Sequence, residues 1–203
     1  MMSLSTRVFI VDDQESILKA LSRLIISVGL EVETFNSAQD FLTSGNAATP
    51  GCLILDLSMP GMTGMMLQER LVKEASDMPI IFLTGNGSID SGVQAMKNGA
   101  HDFLTKPVDG DKLLAAIQTA LARNQQARQM RAERDAISTR IAGLTPREHE
   151  VLLHMAEGKL NKQIAGDMGI AEKTIKIHRA RVMTKMEAKS IPALIYQLER
   201  LKI

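Results

Sequence analysis

The chain has 203 residues, 45% hydrophobic and 3% aromatic, with a formal net charge of +1. That length holds one large domain or two small ones. No apolar run approaches the ~20 residues of a membrane-spanning helix, no signal-peptide core stands at the N-terminus, and the single cysteine, Cys52, excludes an internal disulfide and a cysteine-based metal cluster.

The near-neutral total hides two halves of opposite sign. Residues 1–121 hold 8 Lys and Arg against 14 Asp and Glu, a balance of −6; residues 122–203 hold 16 against 9, a balance of +7. The asymmetry predicts two domains with different partners, the basic one facing a polyanion. A cytoplasmic protein without membrane partners is expected.

Val8-Phe9-Ile10-Val11 is a buried-strand run that ends on Asp12 and Asp13. A helical pattern follows through Ile17, Leu18, Leu21, Leu24 and Ile25 and stops at Gly29. Glu31 to Phe35 alternates as a second strand, and Ala38 to Leu42 opens another helix. Cys52 to Leu55 is a short apolar run with the character of a strand buried on both faces, and it ends on Asp56. Ser58, Pro60 and Gly61 cannot extend a central strand, so the chain turns there. A helix through Met65, Leu67 and Leu71 precedes a fourth strand, Pro79 to Leu83, ending at Thr84-Gly85. Gly92 to Met96 is predicted as a short helix, and Asp102 to Leu104 as a fifth strand ending at Lys106-Pro107. A last helix runs from Asp109 through Leu121. Five strands alternating with five helices predict an α/β fold, a doubly wound parallel sheet.

An Asp that ends a strand is often only a helix cap or turn former. Here Asp12, Asp13, Asp56, Thr84 and Lys106 all end strands, and in a parallel doubly wound sheet those ends share one edge. Three carboxylates gathered there repel one another unless a cation neutralises them, and hard oxygen ligands suit Mg²⁺. A lysine and a hydroxyl on the opposite wall suit phosphoryl oxygens.

The ordered set Asp12-Asp13, Asp56 with Met59-Pro60-Gly61, Thr84-Gly85 and Lys106-Pro107 resembles the receiver domain of bacterial response regulators. The resemblance implies that Asp56 accepts a phosphoryl group from a sensor histidine kinase. It implies Mg²⁺ held by Asp12, Asp13, Asp56 and the Ser58 carbonyl, with Thr84 and Lys106 on the phosphoryl oxygens, and a cis bond before Pro107. Phe103 stands where this family has its rotating aromatic, so Thr84 and Phe103 form a candidate switch pair; a core phenylalanine is the equally open alternative. Ser58 and Asn86 flank the phosphorylation site and are candidates for tuning dephosphorylation.

Residues 122–142, rich in Ala, Arg, Gln and Glu and without Gly or Pro, predict an exposed helical linker. From 143 onward the pattern is short and all helical. Thr145-Pro146-Arg147-Glu148 opens one helix with a capping residue, a proline at its first position and a carboxylate at its third. Asn161 is the expected cap of a second, ended by Gly169; Ala171 to Thr174 opens a third; Ser190 caps a fourth. Two short helices joined by Gly169-Ile170-Ala171 make a helix-turn-helix.

Ile175, Val182 and Met186 share one face of the third helix, while Lys173, Lys176, Ile177, Ala180 and Arg181 occupy the rest. An apolar stripe under a basic face suits a major-groove helix; the plainer alternative is a solvated surface. Leu144 to Glu148, Glu150 to Leu152, Gly158, Asn161 to Ala165 and Thr174 to His178 resemble a LuxR-type DNA-binding domain. With the receiver in front, the chain is similar to FixJ/NarL-class regulators. By position in that motif, Lys176 and Ile177 approach base edges, and Lys162, Thr174, Arg179 and Arg181 are candidates for phosphate contact. Lys173 and Ala180 complete the candidate DNA face. His178 reads as a packing or phosphate residue.

The expected domains are therefore a receiver over 1–121, a helical linker over 122–142 and a helix-turn-helix domain over 143–203. The expected function is a phosphorylation-controlled transcriptional regulator, not an enzyme. It binds double-stranded DNA as a phosphorylated homodimer, with RNA polymerase as a further candidate partner. An aspartyl-phosphate hydrolase would place a second Asp two residues beyond its nucleophile, whereas Asp56 is followed by Leu57-Ser58. A regulator that binds only proteins is the remaining alternative.

Overall fold

A computed structural model describes residues 7–85 and 89–201 of the chain. It divides into two compact units, Met1–Arg128 and Gln129–Ile203. In the first, strands β1 (Arg7–Val11), β2 (Glu31–Phe35), β3 (Gly51–Leu55), β4 (Ile80–Thr84) and β5 (Asp102–Thr105) alternate with helices α1 (Glu15–Ser27), α2 (Ala38–Thr43), α3 (Gly64–Lys73) and α4 (Ile89–Lys97). Helix α5 (Gly110–Ala142) begins there and ends in the second unit. The strands form one parallel sheet in the order β2-β1-β3-β4-β5.

The continuous apolar runs of β1, β3 and β4 follow from cover on both faces. Successive side chains point to opposite sides of the sheet. Phe9, Val11, Leu53, Leu55 and Phe82 pack with Phe41, Leu67 and Leu71 in one layer. Val8, Ile10, Cys52, Ile54 and Ile81 pack with Leu21, Ile25, Leu113 and Ile117 in the other. Cys52 is fully buried, and burial pushes its thiol up to about 12. It fills space and is no nucleophile.

The second unit holds α6 (Pro146–Ala156), α7 (Asn161–Met168), α8 (Glu172–Lys185) and α9 (Ile191–Leu201). Val151, Leu152, Met155, Ile164, Ile175, Val182, Met186, Leu194 and Leu198 form its core. Gly169 ends α7 at φ +65°, a left-handed conformation that glycine adopts without strain, and so turns the chain into α8.

Two local expectations are corrected. The cap of α7 is Leu160, not Asn161: Leu160 is extended, and its N–H is satisfied by Gln163 Oε1 at 2.8 Å. A side chain three residues on thus serves the helix start that an N-cap oxygen serves elsewhere. Nor is 122–142 uniformly exposed. Asn124 is buried, accepting from the Gly51 N–H at 3.1 Å and donating to the Asp77 carbonyl at 2.9 Å, and Arg128 donates to the Ala48 carbonyl. Ile137, further along, belongs to the core of the second unit, where Glu133 pairs with Arg200 and Arg140 with Glu187.

Replacing Asn124 by Ala leaves the Gly51 N–H and the Asp77 carbonyl without that amide. An unsatisfied buried group costs about 1–3 kcal/mol. Urea unfolding of Asn124→Ala should show a loss of that order; an unchanged midpoint would mean water replaces the amide at no cost.

Candidate functional site

The sheet register brings the acidic groups together. Val11 lies opposite Leu55, so Asp12 and Asp56 leave neighbouring strands at the same level, and Asp56 N–H donates to the Val11 carbonyl at 2.9 Å. Thr84 lies opposite Thr105, which puts Lys106 on the same edge. Lys106 N–H donates to the Thr84 carbonyl at 2.7 Å, and the bond from Lys106 to Pro107 is cis.

Asp12 and Asp56 are buried and Asp13 is exposed, yet one carboxylate oxygen from each lies within 4.8 Å of the others. Lys106 Nζ stands 2.6 Å from Asp12 Oδ2 and 3.3 Å from Asp56 Oδ2. Burial raises the Asp56 pKa above its ordinary value; the Lys106 charge opposes this, the Asp12 charge adds to it, and the Ser58 N–H stabilises the carboxylate. One ammonium thus leaves three carboxylates under-compensated. The donor set is all hard oxygen and fits a divalent cation such as Mg²⁺.

An open cleft of about 370 Å³ adjoins Asp56, lined by Gln14, Ser58, Thr84, Gly85 and Lys106. Thr84 is buried and Ser58 exposed. Two residues here escaped the sequence reading. Gln14 donates its N–H to Asp12 Oδ1 at 2.9 Å and fixes that carboxylate; its place directly after the acidic pair was the available signal. Gly64, at the start of α3, has no room for a side chain, because a Cβ would come within 2.2 Å of the Asp56 carbonyl oxygen. Phe103 is half-buried against the core, 6.5 Å from Phe82 between ring centres, so the ring packs inward. Asn86 lies outside the described residues.

In the second unit α8 presents the basic face. At 100° per residue, Lys173, Ile177, Ala180 and Thr184 lie opposite the fully buried Ile175, Val182 and Met186, with Lys176 and Arg181 on either flank. Lys173, Thr174, Lys176, Ile177, Ala180, Arg181 and, on α7, Lys162 are exposed. Lys176 makes a loose pair with Glu172 at 3.9 Å. Arg179 and His178 are half-buried, and Arg179 donates to the Lys159 carbonyl. The start of α6 carries the full reciprocal cap: Thr145 Oγ1 accepts from the Glu148 N–H, and Glu148 Oε2 accepts from the Thr145 N–H at 2.9 Å. Lys185 Nζ joins the same carboxylate oxygen at 2.6 Å and ties α8 to α6.

Residues 8–118 match the family described as response regulator receiver domain, and residues 142–197 match bacterial regulatory proteins of the luxR family. The first match ends within α5 and the second begins at its last residue. The chain therefore belongs to the two-component response regulators that carry a LuxR-type DNA-binding domain, and to their FixJ/NarL class. These proteins are transcriptional regulators, which sets the hydrolase alternative aside.

The response regulator protein TodT of Pseudomonas putida is 43% identical over 195 residues, covering 96% of this chain and 86% of its own. The transcriptional regulatory protein FixJ of Azorhizobium caulinodans is 39% identical over 191 residues, covering 94% and 90%. Among solved structures, the response regulator StyR superposes with a TM-score of 0.89 at 43% identity over 97% of this chain and 99% of its own.

The Glu148–Lys185 pair gives the helical domain a defined pH dependence. Its hydrogen bond to Lys185 and the Thr145 N–H hold the Glu148 carboxyl down to about 2, against an ordinary value of 4.5. A depressed pKa contributes stability that is present above pH 4.5 and is lost as pH falls toward 2. Glu148→Gln should therefore melt below the native chain near neutral pH, with the gap closing across that window. A gap independent of pH would show that the ionised carboxylate contributes nothing.

Proposed function

We propose that Asp56 is the phosphoacceptor of this regulator, and that its phosphorylation promotes dimerisation and DNA binding through α8. The observation that carries the reading is the convergence of Asp12, Asp13 and Asp56 within 4.8 Å, with Lys106 Nζ 3.3 Å from Asp56. In a donor histidine kinase the phosphoryl group is attached to an imidazole nitrogen. An Asp56 carboxylate oxygen attacks phosphorus, the O–P bond forms, the N–P bond breaks, and the imidazole leaves. Lys106 and the Thr84 hydroxyl receive the phosphoryl oxygens from the far wall of the cleft. Asp12, Asp13, Asp56 and the Ser58 carbonyl would hold Mg²⁺, which when bound would supply positive charge beside the phosphoryl oxygens.

Thr84 and Phe103 form the switch pair in this reading. Thr84 is the last residue of β4, and the Phe103 ring lies about 3.4 Å from where a side chain on Gly92 of α4 would begin. Any rearrangement around the phosphoryl group is thereby felt at the face of α4, β5 and the first half of α5, the proposed dimer surface. Two-fold dimers match palindromic operators, and RNA polymerase is the further partner that a DNA-bound regulator implies. The cytoplasm is the compartment where such partners meet.

With a small-molecule phosphodonor and Mg²⁺, mass spectrometry should find one acyl phosphate in the native chain and none in Asp56→Asn. Undiminished acyl phosphate in the variant would refute the assignment. In the same preparation, beryllofluoride should convert the native chain to a larger species in sedimentation, while Asp56→Asn stays unchanged.

On α8, Lys176 is proposed to reach a guanine edge, with Ile177 and Ala180 against neighbouring bases. Lys162, Lys173, Thr174 and Arg181 are proposed to lie along the phosphates. Losing a base contact costs about 1–3 kcal/mol on the true site and little on other DNA. Losing a phosphate contact weakens both and lowers the salt slope by about one unit. Lys176→Ala should therefore narrow the ratio of specific to non-specific affinity, and Arg181→Ala should largely preserve it. Salt titrations on operator and scrambled duplexes decide between them; equal weakening by Lys176→Ala would exclude base reading through that residue.

A further inference from the structure

Arg179 differs from the other cations of α8. It lies four residues after the buried Ile175 and three before the buried Val182, so it borders the apolar stripe rather than the open face. It is half-buried, and its Nη1 donates to the carbonyl oxygen of Lys159 at 3.2 Å. Lys159 sits in the turn between α6 and α7 and is itself a junction. Its N–H returns to the His154 carbonyl on α6 at 3.1 Å. Its Nζ lies 2.8 Å from Glu157, 2.9 Å from Asp167 on α7 and 3.1 Å from His154 Nδ1. An ammonium only donates, so His154 Nδ1 accepts. The hydrogen bonds that its ammonium donates to Glu157 and Asp167 also raise the Lys159 pKa, which keeps the junction charged.

One residue thus joins α6, the turn and α7 through its side chain, and α8 through its carbonyl. We propose that Arg179 and Lys159 are positioning residues for DNA recognition: together they lock the angle of α8 against the α6–α7 turn, and Arg179 is not a phosphate contact. The inference rests on the reading of α8 as the recognition helix and adds how that helix is aimed. Hydrogen bonds to base edges weaken steeply with distance and angle. A helix free to rock on its apolar stripe would present Lys176 and Ile177 to the groove in several poses, and only some of them pair. A charge-assisted bond to a main-chain oxygen suits such a lock, being stronger than a neutral one and fixed by the backbone.

The test uses the full chain, a duplex that the native chain selects from random sequence, and a scrambled duplex. Arg179→Met keeps the aliphatic stem and removes the guanidinium. It should weaken the selected duplex about tenfold, the scale of one lost hydrogen bond from a charged donor, while the salt slope stays unchanged. Lys159→Met should give a similar loss on the selected duplex and the same narrowed ratio to scrambled DNA. The double variant should be no weaker than the weaker single, because both break one lock.

A slope flatter by about 0.9 unit, with both duplexes weakened alike, would make Arg179 a phosphate contact and overturn the lock. So would two losses that add in the double variant. If Arg179→Met fails to fold, Lys159→Met decides alone, a narrowed ratio supporting the lock and an unchanged ratio overturning it. A native chain that selects no duplex from random sequence would overturn the DNA-binding reading itself, an outcome distinct from any failure confined to the variants.

Discussion

The gathering of like charge at one edge of a parallel sheet is the constraint on which the first unit turns. Asp12 and Asp56 are buried, and Asp13 adds a third carboxylate within 4.8 Å. Such a cluster is unfavourable in itself, and Lys106 offsets only part of it. The surrounding architecture makes the arrangement tolerable. Two apolar layers clamp β1, β3 and β4 so that the carboxylates cannot drift apart. Main-chain N–H groups of Gln14 and Ser58 supply fixed dipoles at no side-chain entropy. Gly64 lets α3 start directly behind Asp56, where any Cβ would collide with its carbonyl. The strain of assembling the charges is carried by the fold before any ligand arrives, as preorganised sites require.

The helical unit solves a related problem with the opposite sign. Its cations are useful to a polyanion only where they face outward, and α8 sorts them by position. Lys173, Lys176 and Arg181 stand in solvent, whereas Lys185 is drawn to Glu148 and Arg179 to the main chain of the turn. Glu148 is nearly fully buried and would be costly alone. It is satisfied by the Thr145 N–H and by Lys185, so one carboxylate both starts α6 and fastens α8 to it. The basic character of the unit is thus divided between side chains that face solvent and side chains that hold the solvent-facing helix in place.

Much of this was legible in the chain. The runs Val8–Val11 and Cys52–Leu55 announce strands covered on both faces, and from a parallel sheet it follows that Asp12, Asp13, Asp56, Thr84 and Lys106 share an edge. What stayed hidden depends on distant partners. Asn124 is buried because it bridges Gly51 and Asp77, 73 and 47 residues away, and nothing in an Ala-, Arg- and Gln-rich helix foretells that. Helix formers give the same pattern whether the helix is docked or free. Leu160 takes the cap of α7 because Gln163 reaches back, an option that single-residue cap preferences do not weigh. Arg179 is the instructive case: its spacing from Ile175 and Val182 already set it apart from Lys176 and Arg181, but basic residues on one helix are easily read as one class.

The two units are chemically distinct, and the proposed switch must be judged by what phosphorylation changes locally. A phosphoryl group adds about −1.5 to −2 charges to a pocket that already holds three carboxylates against one ammonium. That addition is tolerable only if the cation and the phosphoryl group favour each other. By linkage the preference is reciprocal: the factor by which phosphorylation tightens the cation is the factor by which the cation stabilises the phosphorylated pocket. The same logic bounds the output. Phosphorylation shifts the regulator toward its DNA-binding form only by the difference in free energy between the two forms that the new group creates. In the proposed switch, Thr84 and Lys106, both on the cleft wall and joined by a main-chain bond at the strand ends, are where that difference would originate. A contact made equally in both forms would hold the phosphoryl group firmly and signal nothing.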